Sequence, residues 1–315
     1  MSIHDGTPKT LQDAILYFSD ERRCADFLAA QRWPDGVVRC PVCSGGRVTY
    51  LTNQRRWKCR VKHPRQQFSI KVGTIFEDSP IPLSKWLVAL WMLSNCKNGI
   101  SSYEVGRALG VTQKSAWFML HRIRLAMQDH GLKSLRGIVE ADEAYIGGRQ
   151  EFMHKHKRDA IREQGSQLTS KAIVLGILER GGRIKARVVP VINQKVVTDH
   201  VEWYVEKGSE VHTDSSLAYT QLRRNFVHSF VNHMHEYVRG SVHTNGIENF
   251  WSLLKRTLRG TYVSTEAFHL HRYVDEQAWR FNQRRMKDSG RFVYALRTII
   301  KRRLTYKQLI GVATT

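Results

Sequence analysis

The chain has 315 residues, which is enough for two or three domains with a sizeable core. Its 50 lysines and arginines outnumber its 28 acidic residues, and this net charge of +22, spread along the sequence, predicts a polyanionic partner such as DNA. The sequence has no run of eighteen apolar residues and no secretory leader pattern, so we expect a protein of the cytoplasm or nucleoid.

The first 132 residues contain three kinds of pattern. Apolar side chains at helical spacing predict a helix over residues 8–32, which we assign to an N-terminal segment, 1–32. Residues 33–80 are rich in Gly, Pro and Cys and predict small β-hairpins. Residues 81–132 have a helical pattern with at least two breaks.

Four residues of the second segment have the spacing of a zinc ribbon. Cys40 and Cys43 are separated by two residues, Cys59 follows sixteen residues later, and His63 stands four residues further on. Two such pairs can close a tetrahedron around one Zn²⁺, whose role would be structural because the segment is too small for a core of its own. The alternative is a set of buried free thiols beside a surface histidine.

Residues 101–117 have the pattern of two short helices joined by a turn. Ser101 can cap the first helix, Gly110 suits the turn, and Thr112 can cap the second helix. A helix-turn-helix of this kind places its second helix in the major groove of DNA. The side chains predicted to face DNA are Gln113, Lys114, Ser115 and Arg122. The alternative is an ordinary helical hairpin that packs against neighbouring elements.

From residue 137 onward the pattern becomes β-rich and then helical. The runs IVEADEAYI, KAIVLGILE, IKARVVPVI and EVHTD predict four successive strands, with a helix-like run between the third and the fourth. Residues 149–170 are polar, basic and aperiodic, which predicts a loop between the first two strands. Residues 246 to about 310 are mostly helical in pattern.

Acidic residues stand at separated points of this second half. Asp142 lies near the end of the first strand, Asp214 ends the fourth, and Glu248 follows on a helix-like run. Alternate residues of a strand share a face, so Glu140 and Asp142 point together, and buried acids need a cation to neutralise them. Strand ends that open into one cleft are where functional sites collect in α/β sheets.

The helix-like run adds further polar groups to the same cleft. At steps of three, four and three residues, one stripe of the helix presents Asn245, Glu248, Ser252 and Lys255. Carboxylates from separate elements are suitable ligands for two Mg²⁺ or Mn²⁺ ions, which can hold the attacking and the leaving oxygen of a phosphodiester. The alternative for each acid taken alone is a solvated or salt-bridged surface residue.

Five motifs in this order resemble the zinc-ribbon transposases of bacterial insertion sequences, which belong to the DDE superfamily. They are CPVC, QFSIKVGTIFEDSPIPLSKW, GIVEADEAYIGG, VHTDSSLAY and HTNGIENFWSLLKRTLRGTY. The resemblance covers residues 20 to about 285. It implies an α+β multidomain protein in which a zinc ribbon and a helix-turn-helix precede a ribonuclease H-like α/β catalytic domain with a mixed sheet and C-terminal helices. We place that domain at 133–290 and a basic C-terminal helix or tail at 291–315.

The resemblance also implies roles for particular residues. The two catalytic aspartates are Asp142 and Asp214, and the third position is Glu248 or Asn245, with the spacing to Lys255 favouring Glu248. The implied zinc ligands are Cys40, Cys43 and Cys59, with His63 as the fourth. The implied reaction is Mg²⁺-dependent cleavage of DNA followed by strand transfer.

The same resemblance implies partners. The zinc ribbon and the helix-turn-helix would bind the terminal inverted repeats of the element, and a homodimer or larger assembly would form on DNA because two ends are held at once. One alternative is a DNA-binding regulator or domesticated remnant without strand-transfer activity. Another is a nuclease or resolvase of the same fold that cleaves without joining.

Overall fold

The protein is described from a computed structural model over residues 7–129, 131, 134–147, 171–231, 242–263 and 265–312. The loop predicted over residues 149–170 lies outside these described ranges. The described helices are α1 (Leu11–Tyr17), α2 (Glu21–Arg32), α3 (Leu83–Asn95), α4 (Ser102–Leu109), α5 (Gln113–Met127), α6 (Gln194–Tyr204), α7 (Asn245–Thr257), α8 (Leu270–Asn282), α9 (Asp288–Arg297) and α10 (Tyr306–Leu309). The strands are β1 (Val48–Leu51), β2 (Arg56–Cys59), β3 (Gln67–Phe68), β4 (Ile138–Ile146), β5 (Ala172–Glu179), β6 (Ile184–Val189), β7 (Glu210–Asp214) and β8 (Val227–Val231).

The chain divides into two compact units. One unit combines Met1–Gln128 with Arg285–Thr315, and the other is Asp129–Arg284. The first unit therefore includes segments from both terminal portions of the chain. None of the described helices is long and apolar enough to cross a membrane.

The helix predicted over residues 8–32 is two helices. Thr10 and Asp13 form a capping box at the start of α1, and the Asp20 side chain accepts a hydrogen bond from the backbone of Arg22 at the start of α2. These local side-chain caps compete with a continuous helix and end it at this point. The interruption lets Phe18 contact Phe27 at a ring distance of 5.3 Å.

The hairpins and the broken helical region predicted for residues 33–127 are both present. The hairpins form an antiparallel sheet of order β1-β2-β3. Its Trp57 ring contacts the rings of Trp33 and Phe68. Helices α4 and α5 are joined by a turn in which Gly110 has a left-handed backbone with φ of 59°. Thr112 caps α5, as its sequence position predicts.

Arg122 does not face solvent, and its predicted role in contacting DNA is wrong. Its side chain is 4% exposed, and its guanidinium donates hydrogen bonds of 2.7–2.9 Å to the carbonyls of Ile75, Glu77 and Leu304. Three and four residues away on α5, Met119 and Ala126 are buried as well, so Arg122 belongs to the packed face of the helix. The guanidinium therefore donates hydrogen bonds to three carbonyl groups of the first unit.

The C-terminal segment is also part of this core. Phe292 on α9 is fully buried, and its ring lies 5.7 Å from Phe18, 6.2 Å from Phe27 and 5.1 Å from Trp91. The apolar residues of the C-terminal segment are interspersed with many basic residues. The buried face is therefore hard to recognise from the sequence.

The second unit contains a mixed five-stranded sheet of order β6-β5-β4-β7-β8. Strands β4, β5 and β6 are antiparallel, whereas β4 with β7 and β7 with β8 are parallel. The four strands predicted from β-rich runs are confirmed, and β8 is an additional strand that was not predicted. One core on the sheet includes Val197 and Val201 of α6, and a second includes side chains of α7 and α8.

We predict that Arg122→Met destabilises the first unit by about 2–4 kcal/mol, because it removes the charged donor from three buried carbonyl groups. Urea unfolding of the zinc-loaded chain, followed by circular dichroism, measures this loss. Lys114→Met is the matched control, since Lys114 lies on the same helix and is exposed. An unchanged unfolding midpoint in Arg122→Met, with weaker DNA binding, would support the original solvent-facing interpretation.

Candidate active site and zinc centre

The four residues predicted to bind zinc are brought together in the first unit. The ligand atoms of Cys40, Cys43, Cys59 and His63 all lie within 4.8 Å of one another. The Sγ atoms of Cys43 and Cys59 are 3.6 Å apart, and the Sγ of Cys40 is 3.3 Å from Nε2 of His63. The other ring nitrogen of His63, Nδ1, lies 2.7 Å from the carbonyl oxygen of Pro64, so the ring is oriented with Nε2 toward the thiols. This Cys₃His donor set fits a tetrahedral structural Zn²⁺.

Backbone geometry around the first two ligands also favours metal binding. The amide of Cys40 donates to the carbonyl of Gly45, and Ser44 takes a left-handed conformation with φ of 59°, which closes a tight turn. The Gly45 amide lowers the pKa of the Cys43 thiol because its hydrogen bond stabilises the thiolate. The thiolate is the form of cysteine that binds metal.

Asp142 and Asp214 lie on neighbouring parallel strands of the second unit. Strands β4 and β7 pair in a register that joins Ile138 to Glu210 and Glu140 to His212. The pairing ends two residues before each aspartate, and the two carboxyl groups are close enough to interact electrostatically. Burial, together with the negative charges of Glu143 and Asp214, raises the pKa of Asp142 to about 7. The effect of Glu143 and Asp214 on Asp142 indicates that the three carboxyl groups lie near one another.

A pocket of about 570 Å³ opens beside Asp142. Its lining residues are Asp142, Glu143, Glu248, Trp251, Ser252, Lys255, Arg256 and Arg259. Three members of the predicted helical stripe, Glu248, Ser252 and Lys255, are among them. Asn245 is exposed at the first position of α7 and is not one of the lining residues. The pocket therefore combines acidic groups from β4 and α7 with cationic groups from the later turns of the same helix.

The donor set of this pocket suits a hard cation, although the acids do not form a closed cage. In the part of the chain that the structure describes, only the four zinc-site residues form a group of three or more such side chains with ligand atoms within 4.8 Å of one another. Mg²⁺ is commonly held by one or two carboxylates together with water and substrate phosphate oxygens. The carboxylates of Asp142, Asp214 and Glu248 fit that manner of binding.

Glu140 is neutralised by an arginine and not by a metal ion. Its side chain is 1% exposed, and Oε1 accepts a hydrogen bond of 3.0 Å from Nε of Arg180. Its other oxygen, Oε2, accepts a hydrogen bond of 2.9 Å from the backbone amide of Ile247 in the first turn of α7. The same Arg180 donates to the carbonyl of His243, just before that helix. Glu140 therefore fixes the start of α7 against β4.

Two aromatic residues contact the acids and were missed by the sequence analysis. Nε1 of Trp251 donates a hydrogen bond of 2.9 Å to Oδ2 of Asp142, and the hydroxyl of Tyr219 donates to Glu143. The available signal for Trp251 was its position three residues after Glu248, which sets it on the same side of the helix. No comparable signal marks Tyr219, because its contact depends on the fold of a distant segment.

Two sequence profiles match this chain. The ISXO2-like transposase domain matches residues 134–282, and the transposase zinc-ribbon domain matches residues 19–61. A protein of Halobacterium salinarum, described as an uncharacterized protein in transposable element ISH50, is 30% identical over 260 residues, which are 78% of this chain and 85% of that protein. The two profiles together describe a transposase zinc ribbon followed by an ISXO2-like transposase domain in one chain. The chain belongs to the insertion-sequence transposases with a zinc ribbon and an ISXO2-like DDE domain.

We predict that the purified chain contains about one equivalent of zinc and that Cys59→Ser loses it, because a serine hydroxyl does not replace a thiolate ligand. Atomic absorption after dialysis against a mild chelator gives the zinc content. Cys96→Ser, at a cysteine outside the cluster, should keep the metal. Equal zinc content in Cys59→Ser and the unmodified chain would remove Cys59 from the ligand set.

We also predict that Glu140→Gln destabilises the second unit by about 2 kcal/mol, since it leaves Arg180 without its buried counter-charge while keeping an acceptor for the Ile247 amide. This loss of stability is small for a buried ion pair because the Arg180 side chain is 26% exposed. Thermal unfolding measures the loss, with the exposed Asp199→Asn as the control. A transition that is the same in both variants would show that the pair contributes nothing.

Proposed function

We propose that this chain is a DNA transposase that binds the terminal inverted repeats of an insertion sequence and catalyses metal-dependent strand cleavage and strand transfer. The observation that carries the proposal is the pocket that Asp142 shares with Glu248, with Asp214 close enough to raise the pKa of Asp142. Asp142 lies within β4, and Asp214 ends the neighbouring parallel strand β7. The occurrence of the Halobacterium salinarum relative in a transposable element supports the same function.

The second unit is, in this proposal, a ribonuclease H-like catalytic domain. The mixed order of its sheet, with three antiparallel strands followed by two parallel ones, supports that assignment. Two Mg²⁺ or Mn²⁺ ions, when bound, would supply Lewis-acid stabilisation to the attacking and the leaving oxygen of the phosphodiester. Asp142, Asp214 and Glu248 would hold the ions, and the acids would thereby keep their charges despite mutual repulsion.

The basic residues of the pocket would bind the phosphate group of the substrate. Lys255 and Arg259 follow Glu248 on the helix and line the same pocket. The acidic residues alone would repel a phosphate group. The positive charges of Lys255 and Arg259 offset this repulsion and favour the approach of the phosphate. The reacting phosphodiester would therefore lie between acids that hold cations and cations that hold its oxygens.

The third metal-binding residue is Glu248 in our proposal. Its presence in the pocket with Asp142 supports this choice, as does the hydrogen bond of 3.0 Å that it accepts from the hydroxyl of Thr244. Asn245 remains the alternative, because its exposed amide lies one turn earlier on the same helix. A comparison of variants at the two positions separates these choices.

Recognition of the element ends is assigned to the first unit. Gln113 and Lys114 are exposed and Ser115 is half-buried in the first turn of α5, which supports their contact with DNA. The zinc ribbon, also in this unit, adds a second surface for DNA. The protein would act on chromosomal DNA in the cytoplasm as a homodimer or a larger assembly, since two element ends must be joined to one target.

Cleavage of a labelled DNA that carries candidate element ends, with Mg²⁺ and the zinc-loaded full chain, tests this function. We expect cleavage and strand joining to fall by about a thousand-fold in Asp142→Asn and Asp214→Asn, since loss of a metal ligand removes several kcal/mol of transition-state stabilisation. Glu248→Gln should fall similarly and Asn245→Ala by less. Gel-shift binding of the same DNA should be unchanged in all four.

The control for this experiment is Asp199→Asn, which replaces an exposed acid on α6. It should cleave and join DNA at the rate of the unmodified chain. Full activity in Asp142→Asn or Asp214→Asn would exclude that residue from the site. Cleavage without joining, with every pair of candidate ends, would favour a nuclease or resolvase.

A further inference from the structure

The indole of Trp251 forms a hydrogen bond to one of the proposed catalytic acids. Its Nε1 donates to Oδ2 of Asp142 over 2.9 Å, and the Trp251 side chain is 4% exposed. The donor belongs to α7 and the acceptor to β4, so the contact crosses from helix to sheet. An indole can only donate, and it therefore satisfies one carboxylate oxygen without competing for a cation.

The sheet contains a position that makes room for this indole. Gly176 on β5 is the cross-strand partner of Asp142. A Cβ atom at Gly176 would lie 2.7 Å from Cη2 and 2.8 Å from Cζ2 of Trp251, which is closer than real Cβ contacts permit. Any side chain at this position would displace the ring. The absence of a side chain at Gly176 therefore leaves the space that the Trp251 ring occupies beside Asp142.

We infer that Trp251 is a positioning residue: its indole N–H, seated over Gly176, fixes the Asp142 carboxylate so that Oδ1 faces a cation in the pocket. This inference rests on the proposed function of the site. The hydrogen bond acts at Oδ2, and without it the carboxylate is free to rotate and loses orientation for metal binding. Outer-shell partners that hold a metal ligand in this way typically contribute about ten-fold to a hundred-fold in metal affinity or activity.

A merely structural role for Trp251 makes a different prediction. The ring belongs to the core formed with α8, and its neighbour Phe250 is fully buried with a ring distance of 5.1 Å. If packing were its whole contribution, loss of ring volume at Trp251 or at Phe250 would lower stability alike. Neither change would alter the amount of metal ion that the enzyme requires.

The test compares Trp251→Phe with Phe250→Leu in the zinc-loaded full chain. Trp251→Phe retains an aromatic ring but removes the N–H donor. We expect it to raise the Mg²⁺ concentration for half-maximal DNA cleavage by about ten-fold, with a near-normal rate at saturating Mg²⁺ and unchanged DNA binding. Phe250→Leu should lower the unfolding temperature and leave the Mg²⁺ requirement unchanged.

A second readout does not depend on catalysis. In the absence of DNA, added Mn²⁺ should raise the unfolding temperature of the unmodified chain, because a ligand that binds the folded state stabilises it. The Mn²⁺ concentration that gives half of this shift should be about ten-fold higher in Trp251→Phe. Gly176→Ala should raise this Mn²⁺ concentration by a similar factor, because the added methyl group displaces the indole. This variant tests the inference independently.

The outcomes separate the inference from the function on which it rests. If Asp142→Asn abolishes cleavage while Trp251→Phe and Gly176→Ala keep the normal metal requirement in both assays, the positioning role is overturned and the proposed function stands. If Asp142→Asn cleaves normally, both are overturned. An increased metal requirement in Trp251→Phe and Gly176→Ala, but not in Phe250→Leu, supports the role.

Discussion

The buried contact between Glu140 and the first turn of α7 is the interaction on which the candidate site depends. Glu140 is carried by β4 two residues before Asp142, and its Oε2 binds the amide of Ile247 one residue before Glu248. One carboxylate therefore sets the distance between the strand that carries the first acid and the helix that carries the third. Arg180 compensates the charge that this arrangement buries.

This dependence explains why one helix can present so many different groups to one pocket. Once the first turn of α7 is fixed, the helical repeat determines the direction of every later side chain. Glu248, Ser252 and Lys255 lie three or four residues apart on α7 and line the pocket. Trp251, three residues after Glu248, reaches Asp142. An acid, two hydrogen-bond donors and a cation are thus positioned through a single anchoring contact.

The features that were predictable from the sequence are those with a local signal. Cysteine spacing identified the zinc centre, because ligand separation along the chain limits the geometry around the ion. Runs of β-branched residues identified β4, β5, β6 and β7, and the capping residues located α4 and α5. The wrong helix over residues 8–32 followed from giving apolar spacing more weight than the capping residue Asp20.

The features that were not predictable depend on contacts between distant residues. Arg122 reads as an exposed cation until Leu304, almost two hundred residues later, supplies its carbonyl. Glu140 seemed to require a metal ion because its partner Arg180 comes from another strand end. The roles of Asp142 and Asp214 remain predictions, and the third position stayed open between Glu248 and Asn245, since helical spacing alone puts both on one stripe.

The division of the chain has a consequence for biosynthesis. The first unit is built from both terminal portions of the chain, with Phe292 filling a space among Phe18, Phe27 and Trp91. During translation the intervening unit leaves the ribosome before Phe292 has been synthesised. The aromatic residues that Phe292 contacts therefore remain exposed while about 160 residues are made. A truncated polypeptide ending near Arg284 would retain every acidic residue of the pocket and still present an unfinished apolar surface to chaperones and proteases.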